Sequence, residues 1–285
     1  MKKRSTKEIK LQAKKALQGH VGTVLLGLLA VYGLNMLGTI LSTNLFSGTS
    51  PLDLVLSEVF MLVVSLIVGI ISAGFGYMLL NISRGKEFSL GDLGYFFKNQ
   101  PDRVIIAGFV LAVIQIVTAI PYYYVSFTTD PGLTVDSQIK WLSMTLGLLA
   151  VSTLLNFLIS LPFAMTYFLM ADDTELGGLQ ALKESARLMK GNLWRYVKLN
   201  LSFVPLLLLS VFTFYIALFW IMPYMEMSMV AFYRDLDGEL DYRLPGDGTA
   251  DGGFHNWTND SGNGYDTENN DGYRNDSEDD YNSEA

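Results

Sequence analysis

The feature that most constrains this chain is a series of apolar stretches, each about as long as a bilayer is thick and nearly free of charge. An α-helix rises 1.5 Å per residue and the hydrocarbon core is ~30 Å across, so roughly 20 apolar residues make one crossing. Four such stretches occupy residues 21–46, 54–82, 104–125 and 141–170. A fifth apolar block, 194–233, is long enough for two crossings. It reads as a hairpin of two short spans, 194–212 and 214–233, or as one span followed by a helix lying in the interface. Charged residues make up only 17% of the chain, against ~25% in soluble domains, and they crowd into the connections. A charge at the bilayer centre costs roughly 2.5–3.5 kcal/mol on the insertion scale, so spans exclude it. The expected fold class is all-α: a polytopic membrane helical bundle of about six transmembrane helices.

Lysine and arginine set the direction. Residues 1–20 carry seven of them, 83–103 four and 171–198 five, whereas 47–53 carry none and 126–140 only Lys140. Basic connections are retained on the cytoplasmic side, so the N-terminus is expected to be cytoplasmic, and with six spans the C-terminus as well. Met1-Lys-Lys-Arg could open a signal peptide, but the apolar run after it is too long for one and reads as a retained first span. The expected organisation is a basic amphipathic helix over 1–20, the bundle over 21–236 and a disordered acidic tail over 237–285. From Asp237 onward 14 residues are acidic and two basic, a balance of −12, so the remainder carries +4 of the net −8. Few apolar residues interrupt that tail, a composition that cannot bury a core.

Three segments resemble one another: 9–30, 90–111 and 179–201. Each reads as a short amphipathic helix, a break at Gly19, Asn99 or Gly191, and then the start of a span. In the first, Ile9, Ala13, Ala16 and Leu17 oppose Lys7, Lys10 and Lys14; in the third, Leu179, Leu182, Ala186 and Met189 oppose Lys183, Arg187 and Lys190. Ser89 and Asp92 fit a capping box before Leu93 and Phe97. The even-numbered spans echo one another in Gly74-Phe75, Pro162-Phe163 and Pro223-Tyr224. Six spans in three pseudo-repeats, with cytoplasmic amphipathic helices, follow from this pattern. Against the hairpin stands its turn, since 210–214 contains no Gly, Asn or Pro.

Some of these residues carry a family resemblance. Arg187-Leu-Met-Lys-Gly191, Leu201-Ser-Phe203, Pro223-Tyr224 and Ala231-Phe-Tyr233 resemble the C-terminal signature of the bacterial integral membrane proteins called domain of unknown function 975. The stretch 10–19 resembles that family's opening, and the likeness covers residues 5–237. Val204-Pro205 departs from it, standing where Trp often follows the Ser-Phe element. The resemblance implies a multi-pass protein of the bacterial plasma membrane. It brings no reaction, ligand or catalytic residue.

Candidate sites are few. Glu226, after Pro223 and flanked by Met225, Met227 and Met229, would lie inside the last span. A carboxyl there suggests a proton carrier or cation contact, or a hydrogen bond to a neighbouring helix. Glu58 is expected near the outer surface. Pro162 and Pro223 could free carbonyls inside spans, and Asn35, Asn81, Gln115, Asn156 and Asn200 could line a polar path or bond helices together. Small residues at Gly69, Ala73 and Gly76 suggest close helix packing. Asp172 and Asp173 read as charges for the N-terminus of the following helix. With no cysteine, two histidines and no phosphate-binding glycine loop, an enzyme is not expected, nor is a cofactor or metal. Anionic lipid headgroups are the expected partner of the basic helices; the acidic tail could bind a protein. Nucleic acid is not an expected partner. A non-enzymatic organising or regulatory role leads, and a carrier with its site near Glu226 is the alternative.

Overall fold

The computed structural model describes residues 3–47 and 50–242, and these contain helices and turns without a strand. The acidic tail expected beyond 237 lies almost wholly outside the described residues. Among the described residues, five helical stretches, two of them broken, are long and apolar enough to cross a membrane: Val21–Leu45, Leu52–Arg84, Pro101–Ser126, Val135–Asp172 and Leu193–Phe212. The protein is a multi-pass, all-α membrane bundle.

Helix α1 (Thr6–Leu17) opens on a capping box in which Ser5 and Glu8 satisfy each other's backbone. It turns at Gly19 into α2 (Val21–Leu45). Helix α3 (Pro51–Arg84) has 34 residues, about 51 Å at 1.5 Å per residue, so it outruns the hydrocarbon. A 3₁₀ turn at Leu90–Gly94 and the single-turn α4 (Tyr95–Lys98) lead to α5 (Pro101–Thr128). The fourth apolar stretch is not one helix. Pro162 lacks an N–H and its ring clashes with the preceding turn, so α6 (Val135–Ser160) ends, a 3₁₀ turn spans Leu161–Phe163, and α7 (Thr166–Asp172) resumes. After α8 (Gly178–Met189) come the two short helices α9 (Leu193–Leu201) and α10 (Val204–Phe212). The chain then reverses into α11 (Leu218–Leu236) and ends in α12 (Glu239–Tyr242).

The block 194–233 folds back on itself, with the Phe203 and Tyr224 rings 5.3 Å apart, while Leu193–Phe212 is the stretch there that is long and apolar enough to cross a membrane. The turn is made without glycine: Phe214 and Tyr215 adopt left-handed backbone, φ 50° and 64°, a conformation that costs non-glycine residues of order 1–3 kcal/mol. The Tyr215 N–H reaches back to the Ser210 carbonyl at 2.8 Å, and the Thr213 hydroxyl accepts from the Ala217 N–H at 3.2 Å.

The first and third amphipathic helices are copies in register. Thr6 and Gly178, Leu17 and Met189, Gly19 and Gly191, Val21 and Leu193 all stand 172 positions apart. Gln18 (φ −59°, ψ 124°) with Gly19 (φ 82°) and Lys190 (φ −60°, ψ 118°) with Gly191 (φ 78°) form the same type II turn. Buried Ile9, Ala13 and Leu17 match buried Ala181, Ser185 and Met189. The α8 face buries Leu182 and Met189 as expected but not Leu179, which is 56% exposed, and Ala181 and Ser185 complete the buried stripe. Lys10 likewise turns inward, donating to the Ser202 carbonyl at 2.9 Å. In the middle segment the left-handed residue is Gln100 (φ 51°), one later than the expected Asn99.

Packing then follows a cyclic rule. The 3₁₀ turn and α4 of the second unit sit on α3 of the first; α8 of the third sits on the broken span of the second; α1 of the first sits on α11 of the third. Each seat is one of the three echoed dipeptides. Gly74 lies so close to the 3₁₀ turn that a Cβ would collide with the Leu93 carbonyl. The Pro162 carbonyl accepts from the Ser185 hydroxyl at 2.8 Å. The Tyr224 hydroxyl donates to the Lys10 carbonyl at 3.3 Å.

The packed core lies toward the end that carries the N-terminus. Val24, Leu28, Val104 and Ala107 are buried near the starts of α2 and α5, while Met78, Leu79, Met170, Phe232 and Tyr233 are buried toward the ends of α3, α7 and α11. At the far end Met36, Leu45, Leu52, Val55, Val135 and Phe212 stay exposed, apolar surface that acyl chains cover.

Candidate functional site

Charged side chains from five parts of the chain meet where α3, α7 and α11 end. The Arg84 guanidinium grips Asp172 with two bonds, 2.6 and 2.8 Å, and reaches Glu239 at 2.9 and 3.0 Å. Asp172 also accepts from the Tyr233 hydroxyl at 2.9 Å. Arg234 donates to the other Glu239 oxygen at 2.7 Å and to the Ser83 carbonyl at 2.6 Å. Asp235, its side chain 1% exposed, takes Arg4 from before α1 and Arg195 from α9. Arg4 further binds Asp241 at 3.0 Å and the Leu240 carbonyl at 2.6 Å. Four arginines face four carboxylates, so the cluster is neutral in sum.

Bidentate arginine bonds are strong and directional, and here they lock the ends of α3, α7 and α11 together rather than present a reactive group. Burial alone would raise the Glu239 carboxyl, but the hydrogen bonds and charges of Arg234 and Arg84 outweigh it and hold it at about 2. Arg103, 3% exposed, lies outside the cluster and donates to the Asp173 carbonyl at 2.9 Å, satisfying the end of α7. Asp172 is thus a closing tie and not a charge for the start of α8. Asp173 accepts from the Glu175 N–H at 2.8 Å in the connecting turn.

Glu226 sits midway along α11, partly buried. Among the described residues it forms no hydrogen bond and no ion pair, and Tyr32 of α2 and Tyr196 of α9 lie near enough to feel its charge. The amide residues expected to line a path do not converge. Asn35 and Asn200 bond their own helices through the carbonyls of Val31 and Tyr196, Gln115 is exposed, and Asn156 bridges to Thr118 of α5 at 3.2 Å. Polar pairs of this bridging kind recur toward the far end, Ser42 with Ser57 at 2.7 Å and Tyr123 with Glu58 at 2.6 Å. Gly69 and Gly76 face Tyr167 and Phe168 of α7, and Ala73 is wholly buried, as close packing requires.

Sequence reasoning missed Ser185. Its hydroxyl donates to the Pro162 carbonyl and accepts from the Met165 N–H at 3.1 Å, so a side chain of α8 replaces the backbone bonding that the proline break removes. The signal was present, since Ser185 stands six residues before Gly191 as Ala13 stands before Gly19.

A family model described as "Protein of unknown function (DUF975)" matches residues 1–239. The chain belongs to that family. In DUF975 terms, the match takes in all three units, the charge cluster as far as Glu239, and Glu226. No curated protein and no solved structure matches the chain.

Proposed function

We propose that the protein works without enzymatic chemistry as an organising or regulatory element of the bacterial plasma membrane, with its basic end at the cytoplasmic leaflet and anionic lipids as its partners. One observation carries this reading. Each amphipathic segment is anchored through one face to the bundle and turns cationic groups outward on the other: Lys14 and Lys15 on α1, Lys98 on α4, Lys183 on α8 and Lys190 just after it, Lys198 on α9. The neutral cluster beneath takes up Asp172, Asp235, Glu239 and Asp241; Glu87, Asp102 and Glu175 remain exposed among the lysines, and cations still outnumber acids on that surface. Each such cation contributes about 1 kcal/mol beside anionic headgroups. The side chains of the cluster serve as ties, which favours a scaffold over a reaction centre.

The test is lipid retention. Protein drawn from vesicles of mixed phosphatidylcholine and phosphatidylglycerol into detergent should carry lipid enriched in phosphatidylglycerol. Co-purified lipid of the same composition as the vesicles would overturn the reading.

A second reading, a proton-linked or cation carrier, draws on Glu226, a carboxyl halfway along α11 without a bonding partner among the described residues, which would lie within the bilayer if α11 forms the last span. Proteoliposomes that pass solute or protons with wild-type protein, and lose that flux with Glu226→Gln, would favour it over the first.

A further inference from the structure

The basic surface is not uniform, and one part of it is shaped. Helices α1 and α9 lie side by side and run the same way: Arg195 donates to the Arg4 carbonyl at 2.9 Å, and Lys10 reaches the Ser202 carbonyl at 2.9 Å with its ammonium 3.7 Å above the Phe203 ring. Lys10 therefore closes the floor between the two helices. Lys7 and Lys14, three residues before it and four after, share its side of α1 and are exposed. From α9, Lys198 is exposed and its ammonium stands 5.6 Å from the Trp194 ring, itself 64% exposed. Leu201, 55% exposed, continues the Trp194 side of α9 two turns on.

The neighbouring acids are engaged elsewhere. Glu8 folds back onto the Ser5 N–H and hydroxyl at 2.6 and 2.8 Å, Asp235 takes Arg4 and Arg195, and Asp241 takes Arg4.

We propose that the groove between α1 and α9 seats the headgroup of an anionic phospholipid. The ammonium groups of Lys7, Lys14 and Lys198 meet the phosphate, while Trp194 and Leu201 lie against the glycerol and the start of an acyl chain. A free phosphate would be matched by the lysines alone; the exposed indole and leucine beside them select a lipid. An indole next to cations is the pairing typical of membrane interfaces, where one end of the side chain is wet and the other apolar. The seat rests on the reading that this end faces an anionic leaflet, and it narrows that reading to one place.

Trp194 reports on its own site. In the full chain carrying Trp141→Phe, Trp220→Phe and Trp257→Phe it is the only indole, and brominated lipids quench it on contact. In phosphatidylcholine vesicles, brominated phosphatidylglycerol should quench severalfold more than brominated phosphatidylcholine at the same mole fraction. The combined Lys7→Gln, Lys14→Gln and Lys198→Gln variant should lose that excess. An equal charge loss elsewhere, Lys98→Gln with Lys183→Gln and Arg187→Gln, should leave it intact. If both variants lose the excess alike, attraction is diffuse and the seat is overturned. If the wild type shows no excess while purified protein still retains phosphatidylglycerol, the seat falls and the broader role stands. Absence of both removes both.

Discussion

At the residue scale, the side chains that matter most are those that complete another element's backbone or balance a buried charge. Ser185 is the clearest. Removing its hydroxyl strands the Pro162 carbonyl and the Met165 N–H in a buried site, and unsatisfied buried groups cost about 1–3 kcal/mol. Ser185→Ala should therefore lower stability by that amount in a denaturant titration of the detergent-solubilised protein, while Ser160→Ala, whose hydroxyl makes no such bond, should not. Glu239 supplies a pH dependence of known sign. Its folded value, about 2, lies below the ordinary 4.5 because Arg234 and Arg84 outweigh its burial. The stability it contributes is complete above pH 4.5 and is lost as pH falls towards 2. Thermal unfolding across that window should fall steeply for the wild type and less for Glu239→Gln, which starts from a lower midpoint at neutral pH.

At the element scale, the repeat is a statement about turns as much as about helices. Gly19 and Gly191 hold the third position of type II turns at positive φ, and a Cβ at either would meet nothing within 4 Å. A substitution there tests backbone conformation alone. Gly19→Ala and Gly191→Ala should each destabilise by about 1–2 kcal/mol, the left-handed penalty of an L-residue, and by similar amounts, because the two turns share one geometry. Unequal losses in matched unfolding measurements would show that the two copies carry different loads. The α9–α10 to α11 reversal shows the opposite case. Two aromatic residues accept left-handed backbone, and no turn residue marks the place in the sequence.

At the scale of the whole molecule, the segment before α1 is tied to α11. Asp235 binds Arg4 from the first described residues and Arg195 from the third unit, so one buried carboxylate ties the start of the chain to its last long helix. Removing it takes the one carboxylate from Arg195 and one of two from Arg4, which keeps Asp241, so the loss should fall below the ~3–5 kcal/mol of a fully buried pair broken on one side. Asp235→Ala should release α1 before the spans. Hydrogen exchange in detergent should rise over residues 6–17 while the middle of α3 stays protected. Equal protection of both would mean that Ile9, Ala13 and Leu17 hold α1 without the tie.

Much of this was legible in the sequence because lipid imposes a rule that local composition must obey. Uncharged stretches of crossing length, basic connections on alternate loops and the Gly19/Gly191 register depend only on neighbours along the chain, and they suffice for an all-α multi-pass bundle with repeated units. The partners across the bundle were not legible. That Asp172 answers Arg84, that Ser185 repairs Pro162 and that α1 docks on α11 depend on contacts between residues far apart in the chain. Charge pairing and hydrogen bonding leave no periodic trace in a single sequence. Local solvation decided what each segment is; only tertiary packing decided what each segment holds.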